Sequence, residues 1–345
     1  MKTAVVICPG RGTYNKAELA YLKRYFPDPE LLAAFDAQRS VAGQETVSAL
    51  DNAPRFSMAK HTRGDNASAL IYAATLGDFL SLDRSKVDVV AVTGNSMGWY
   101  SALACAGALS AQSGFTVANT MGTAMQASLI GGQLVYPFMD ENWQPDPPRR
   151  AALMAVVDDI NRRKNHILRL SIALGGMLVL AGDEAGLAAF EAEAEPLEGR
   201  FPMRLGNHAA FHTDLQEPVA IQGRAALAPD LFSQPELPMV DGRGAIWWPH
   251  SSSARALRDY TLGAQVTQTY DFTRAIEVAA REFAPDLFII TGPGTAMGGA
   301  VAQSLILANW RGMDSKESFK AVQDKTGMIV SMGMTQQRAL VMRNL

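Results

Sequence analysis

The sequence predicts an α/β chain: a large body on a mostly parallel sheet, with a small α+β unit inserted into it. Three observations carry that expectation. The apolar, β-branched runs at 3–8, 87–92 and 286–290 lack the alternation of a half-wet strand, as strands covered on both faces do. Each run ends in a glycine turn, at Gly10, Gly94 and Gly292. Between residues 131 and 205 the pattern changes to strand, helix, two strands, helix, strand.

Residues 3–8 form the first strand, closed by Pro9-Gly10-Arg11-Gly12, whose backbone N–H groups face the carboxyl edge where α/β folds place ligands. Helices are expected at 17–26 and 29–38, punctuated by Pro27 and Pro29. An apolar helix over 67–80 precedes the strand at 87–92. That strand meets Gly94-Asn95-Ser96-Met97-Gly98 and an Ala-rich helical stretch whose first break is Gly107. Strand, sharp turn and helix is the setting of a nucleophile elbow, so the body reads as α/β-hydrolase-like and Ser96 as its candidate nucleophile. Gly94 and Gly98 keep side chains out of the turn while strand and helix stay close.

A helix over 114–126 follows, broken by Gly131-Gly132. Then come a strand (134–138), a helix (150–164), two strands about Gly175-Gly176 (167–181), a helix (184–195) and a strand (201–205). This is the split β-α-β order of a ferredoxin-like unit. The expected division is a large body of 1–130 and 206–345 with a small subdomain at 131–205. Past the insert lie a helix to about residue 227, strand pieces at 238–241 and 245–248, a helix at 273–283 and the strand at 286–290 before Thr291-Gly292-Pro293-Gly294. The three glycine turns share one sheet edge, the expected floor of an active site.

A net charge of −3 excludes the global basicity of a nucleic-acid binder, and no apolar run is long enough for a membrane span. The first ten residues read as a strand and not a signal peptide. Cys8 and Cys105 lie in apolar surroundings with no metal or redox spacing, which fits buried thiols in a reducing cytoplasm. No metal site and no bound cofactor are expected. Arg149-Arg150 and Arg162-Arg163-Lys164 read as solvated helix faces, with docking of an acidic partner as the alternative.

A serine hydroxyl needs an adjacent base at neutral pH, and histidine titrates in that range. His61 and His250 sit in polar loops and His166 in a basic stretch of the insert. His208 and His212 flank Ala209-Ala210-Phe211 where the chain returns to the body, and position favours His212 without settling it.

Resemblance adds to this. Cys8-Pro9-Gly10-Arg11-Gly12 resembles the F-P-G-Q-G turn of malonyl-CoA:acyl-carrier-protein transacylases and the acyltransferase domains of fatty-acid and polyketide synthases. The stretch from Gly94 through Gly107 is similar to that family's G-H-S-L-G-E-Y-S-A-L-x-C-A-G, Ala210-Phe211-His212-Thr213 to its A-F-H-S, and Thr291-Gly292-Pro293-Gly294 to its E-V-G-P-G. The resemblance implies a Ser96–His212 dyad with the imidazole oriented by a backbone carbonyl, here that of Gln265. It implies an oxyanion hole from the backbone N–H groups of Met97 and Arg11. It implies two-step acyl transfer from acyl-CoA to the phosphopantetheine thiol of an acyl carrier protein. Arg149, Arg150, Arg162 and Arg163 are the candidate contacts for that acidic partner.

The acyl-pocket positions depart from the family pattern. Its R-G-x-x-M-Q segment is Met121-Gly122-Thr123-Ala124-Met125-Gln126 here, and Met121 cannot clamp a carboxylate, which points to an uncharged acyl group. Ala210-Phe211-His212 is the malonyl-type form and points the other way. Arg11 replaces a neutral Gln beside the nucleophile, either as an anion receptor or in a structural ion pair. Asn95 replaces a His, and Trp99 replaces a Glu and is expected to add apolar bulk to the pocket. Two alternatives remain: a thioester hydrolase with the same first half-reaction, and a non-catalytic synthase component.

Overall fold

The computed structural model describes residues 1–343. Its strands in chain order are β1 (Lys2–Cys8), β2 (Val87–Gly94), β3 (Gly132–Pro137), β4 (Leu168–Leu174), β5 (Met177–Gly182), β6 (Met203–Arg204), β7 (Met239–Val240), β8 (Ile246–Trp247), β9 (Tyr270–Asp271), β10 (Leu287–Ile290) and β11 (Ile329–Ser331). The three apolar runs lie side by side in a sheet of order β11-β10-β1-β2-β7-β8, in which only the β7–β8 pair is antiparallel. Ile7 is in register with both Ile290 and Thr93, and Cys8 with Gly94, so the three glycine turns leave the sheet at one edge. Strand β1 is buried from Ala4 to Cys8, as a central strand covered on both faces must be.

The second sheet has the order β6-β3-β5-β4-β9. Its first four strands pair antiparallel, and with the helices Pro147–Arg162 and Glu184–Glu193 they form the expected ferredoxin-like arrangement. Strand β9 comes from the body and runs parallel to β4, with Ile172 opposite Tyr270. The small sheet is therefore completed by residues outside 131–205, which the sequence did not indicate because β9 is only two residues long.

One expected helix is broken. Over 17–26 the chain forms a short turn at Lys16–Glu18 and then the helix Tyr21–Tyr25, separated by Ala20 in the left-handed region at φ 63°. The buried Asp51 carboxylate causes the restart: its Oδ2 accepts from the N–H groups of Leu22 and Lys23, the donors a new helix leaves open.

Beneath the third glycine turn, the long buried helix Gly64–Leu80 ends near Asp78, a fully buried carboxylate. Asp78 accepts from Arg338 Nη1 at 2.5 Å, the Tyr21 hydroxyl at 2.7 Å and the Gly292 N–H at 2.8 Å. Burial holds its carboxyl up, to about 6, against the pull of Arg338. Removing the cation alone strands the carboxylate, so Arg338→Met is expected to lower unfolding free energy by about 3–5 kcal/mol in a urea titration at neutral pH. A loss under about 1 kcal/mol would show that Asp78 does not depend on this partner.

Candidate active site

The elbow is a steric solution written in two glycines. A Cβ at Gly94 would sit 2.4 Å from the Gly98 backbone, and one at Gly98 would sit 2.2 Å from the Cys8 carbonyl. Between them Ser96 takes φ 55°, and His212 across the cleft takes φ 58°. Each left-handed non-glycine residue costs about 1–3 kcal/mol, strain that persists only where the surroundings enforce it.

The two strained residues meet. Ser96 Oγ lies 2.7 Å from His212 Nε2, and His212 Nδ1 lies 2.7 Å from the Gln265 carbonyl oxygen. A carbonyl only accepts, so Nδ1 carries the proton and the unprotonated Nε2 accepts from the Ser96 hydroxyl. Burial lowers the His212 imidazole to about 4, with the Gln265 contact opposing. The ring is therefore a neutral base at physiological pH, while Ser96 remains partly exposed.

Gln265 adds two bonds through its side chain. Its Nε2 donates to the Ser96 carbonyl at 3.0 Å, and its Oε1 accepts from the Tyr100 hydroxyl at 3.1 Å. Tyr270 in β9 donates to the Gly94 carbonyl at 2.6 Å and places its ring 5.4 Å from that of His212. The roles of Tyr100, Tyr270 and the Gln265 side chain escaped sequence reasoning; only a tyrosine following the elbow hinted at them. Among the described residues, the backbone N–H groups of Met97 and Arg11 are hydrogen-bonded to nothing in the chain.

The other residues read from the sequence distribute as follows. Phe211 is buried beside Arg11, whose guanidinium lies 5.3 Å from the ring centroid. The ion pair considered for Arg11 is not found among the described residues; its Nη2 donates instead to the carbonyls of Thr62 and Asn207. Asn95 is buried against the first glycine turn, with Nδ2 3.8 Å from Met297 Sδ and Oδ1 without a partner. Met121 is fully buried, its sulfur within 2.6 Å of where a Cβ on Gly223 would lie. Trp99 departs from its expected place: it is fully buried, donates to Thr261 Oγ1 at 2.9 Å and packs edge-on against Tyr260, so its bulk fills the core. His208 bonds Gln133, and the buried His61 bonds backbone at Ser57 and Leu50. Cys8 and Cys105 are buried free thiols.

Arg162 pairs with Asp159, and Arg163 with Asp159 and Glu193. Arg149 and Arg150 form no ion pair among the described residues. No described helix is long and apolar enough to cross a membrane, and the described residues include no cluster of His, Cys, Asp and Glu able to hold a metal. A cleft of about 1260 Å³ lined by Arg39, Lys60, Asn119 and Gln222 contains neither Ser96 nor His212. The nitrogens of Arg39 there already donate to Glu45, Asp65, Asn66 and Asn119.

A Ser–His pair at the edge of a parallel sheet, beside an inserted ferredoxin-like sheet, is an arrangement that can activate a serine hydroxyl as a nucleophile. Comparisons with known proteins show what the chain is similar to. No family model matches the chain. In sequence it is 22% identical over 296 residues to a malonyl CoA-acyl carrier protein transacylase of Salmonella typhimurium, covering 85% of this chain and 90% of the relative. In structure it matches an acyl-carrier-protein S-malonyltransferase of Burkholderia pseudomallei with a TM-score of 0.74 at 19% identity, over 99% of both chains. A malonyl CoA-acyl carrier protein transacylase of Coxiella burnetii gives 0.74 at 16% identity, over 98% of this chain and 96% of the other. A malonyl transacylase solved in complex with its type II polyketide synthase acyl carrier protein gives 0.70 at 18%, over 94% of this chain and all of the other. The resemblance to the transacylase family thus extends over nearly the whole chain in sequence and in fold.

Because His212 is held near 4, Ser96 should stay activated in mild acid. Phosphonylation of Ser96 by a serine-directed fluorophosphonate, followed by mass spectrometry, should hold its rate down to about pH 5 and fall by half near pH 4. An inflection near 6.5 would mean an ordinary solvated imidazole.

Proposed function

We propose that the protein is an acyl-CoA:acyl-carrier-protein S-acyltransferase working through an acyl-serine intermediate. The observation that carries this is the 2.7 Å contact of Ser96 Oγ with His212 Nε2, with the opposite ring nitrogen held by the Gln265 carbonyl. His212 Nε2 takes the hydroxyl proton as Oγ attacks the thioester carbonyl. The oxyanion is received by the N–H groups of Met97, the residue after Ser96 in the elbow, and of Arg11 in the first glycine turn, neither of which is bonded among the described residues. The C–S bond then breaks, and the departing CoA thiolate takes the proton from His212. In the second half-reaction the carrier thiol gives its proton to His212 and attacks the acyl-serine; Ser96 Oγ recovers the proton as it leaves.

Met121 is fully buried and carries no charge, so any carboxylate on the acyl group must find its cation elsewhere. For the carrier protein, Arg149 and Arg150 are the candidate contacts, since Arg162 and Arg163 already pair with Asp159 and Glu193, while Arg149 meets only the Tyr136 hydroxyl and Arg150 only the field of Asp271 among the described residues.

Incubation with acyl-CoA should leave an acyl mass on Ser96, absent in Ser96→Ala and slowed by about 100-fold or more in His212→Ala. Added carrier protein should discharge it, with parallel-line ping-pong kinetics. Reversal of Arg149 and Arg150 to Glu should raise the carrier KM more than the acyl-CoA KM. Release of free acid at the same rate with or without carrier would identify a hydrolase instead.

A further inference from the structure

Arg11 stands at the first glycine turn, against the elbow itself. A Cβ on the preceding Gly10 would lie 3.4 Å from Ser96 Cβ and 2.6 Å from the Asn95 carbonyl. From there the Arg11 side chain reaches the ring of Phe211, the neighbour of His212, and Nη2 donates to the carbonyls of Thr62 at 2.7 Å and Asn207 at 2.9 Å. Nε and Nη1 are enclosed and have no hydrogen-bond partner among the described residues. The carboxylate nearest in effect, Asp65, is itself paired with Arg63 at 3.2 Å. The neighbouring His208 is kept neutral, since burial and Arg11 together push its imidazole down to about 3.

A largely enclosed cation held only by neutral carbonyls is electrostatically incomplete. Burial lowers Arg11 to about 10, which leaves it charged at neutral pH. A carboxylate, unlike a single carbonyl, can meet the planar fork with two parallel bonds and a full opposite charge. Among the described residues no carboxylate pairs with Arg11, which leaves room for an incoming anion, and the part of a thioester held at Ser96 that comes nearest this turn is the group attached to the reacting carbonyl. The phosphates of a CoA thioester lie a whole pantetheine arm away.

We propose that Arg11 is the specificity-determining residue of the acyl pocket, receiving a carboxylate on the acyl group of the incoming thioester. The inference rests on the acyl-transfer reading above. It places the selective charge on the turn beside the nucleophile.

The test measures Ser96 acylation by mass spectrometry in wild type, Arg11→Gln and Arg11→Lys. Four substrates are used: malonyl and acetyl thioesters of CoA, and the same acyl groups on N-acetylcysteamine, which has no phosphate. The ratio of malonyl to acetyl loading should fall by about tenfold or more in Arg11→Gln on both thiols, with Arg11→Lys between. An unchanged ratio overturns the proposal, as does a wild type that loads acetyl in preference to malonyl. A loss confined to CoA substrates whatever their acyl group also overturns it, and assigns Arg11 to a phosphate. Because the readout is a ratio within each variant, partial misfolding does not mimic the expected result. If no thioester labels Ser96 in wild type, the acyl-transfer reading falls first and this inference with it.

Discussion

The site depends on one residue that holds both members of the dyad. The Gln265 carbonyl takes the Nδ1 proton of His212, and its side-chain amide donates to the backbone carbonyl of Ser96 while accepting from Tyr100. The first contact selects the tautomer with a free Nε2; the second fixes how far that nitrogen stands from the elbow. A backbone carbonyl orients without carrying a charge, so the imidazole can be buried and neutral with no carboxylate behind it. Both Ser96 and His212 sit in left-handed backbone, and the Gln265 bonds are among the contacts that keep that strain in place.

Around this clamp, each half of the molecule contributes a support. The body sheet brings three glycine turns to one edge, and the buried Asp78–Arg338 pair anchors the third through the Gly292 N–H. The small sheet is tied to the floor by β9: Tyr270 pairs in register with Ile172, bonds the Gly94 carbonyl and lies beside the His212 ring. The small sheet is thus linked to the dyad through Tyr270 and through Ser171 of β4, whose hydroxyl donates to the Phe211 carbonyl beside His212.

Much of this was legible in the sequence, because the signals were strong and local. Unbroken apolar strands, glycine turns and a serine between Gly94 and Gly98 each admit few structural solutions, and the split β-α-β order follows from periodicity alone. What was not legible depended on tertiary partners. Strand β9 is too short to show a period, the break at Ala20 is imposed by Asp51 from another helix, and the Trp99 indole is directed by Thr261 and Tyr260, which lie far along the chain. Gln265 could be placed only by resemblance, since a residue that acts through its carbonyl leaves no mark on its own side-chain chemistry.

The central claim is that His212 is a neutral base whose Nδ1 proton is held by Gln265. ¹⁵N NMR of the imidazole reads this directly. The account predicts the Nδ1–H tautomer with an unprotonated Nε2, persisting from neutral pH down to about pH 4. An Nε2–H tautomer, or full protonation near pH 6.5, would contradict it.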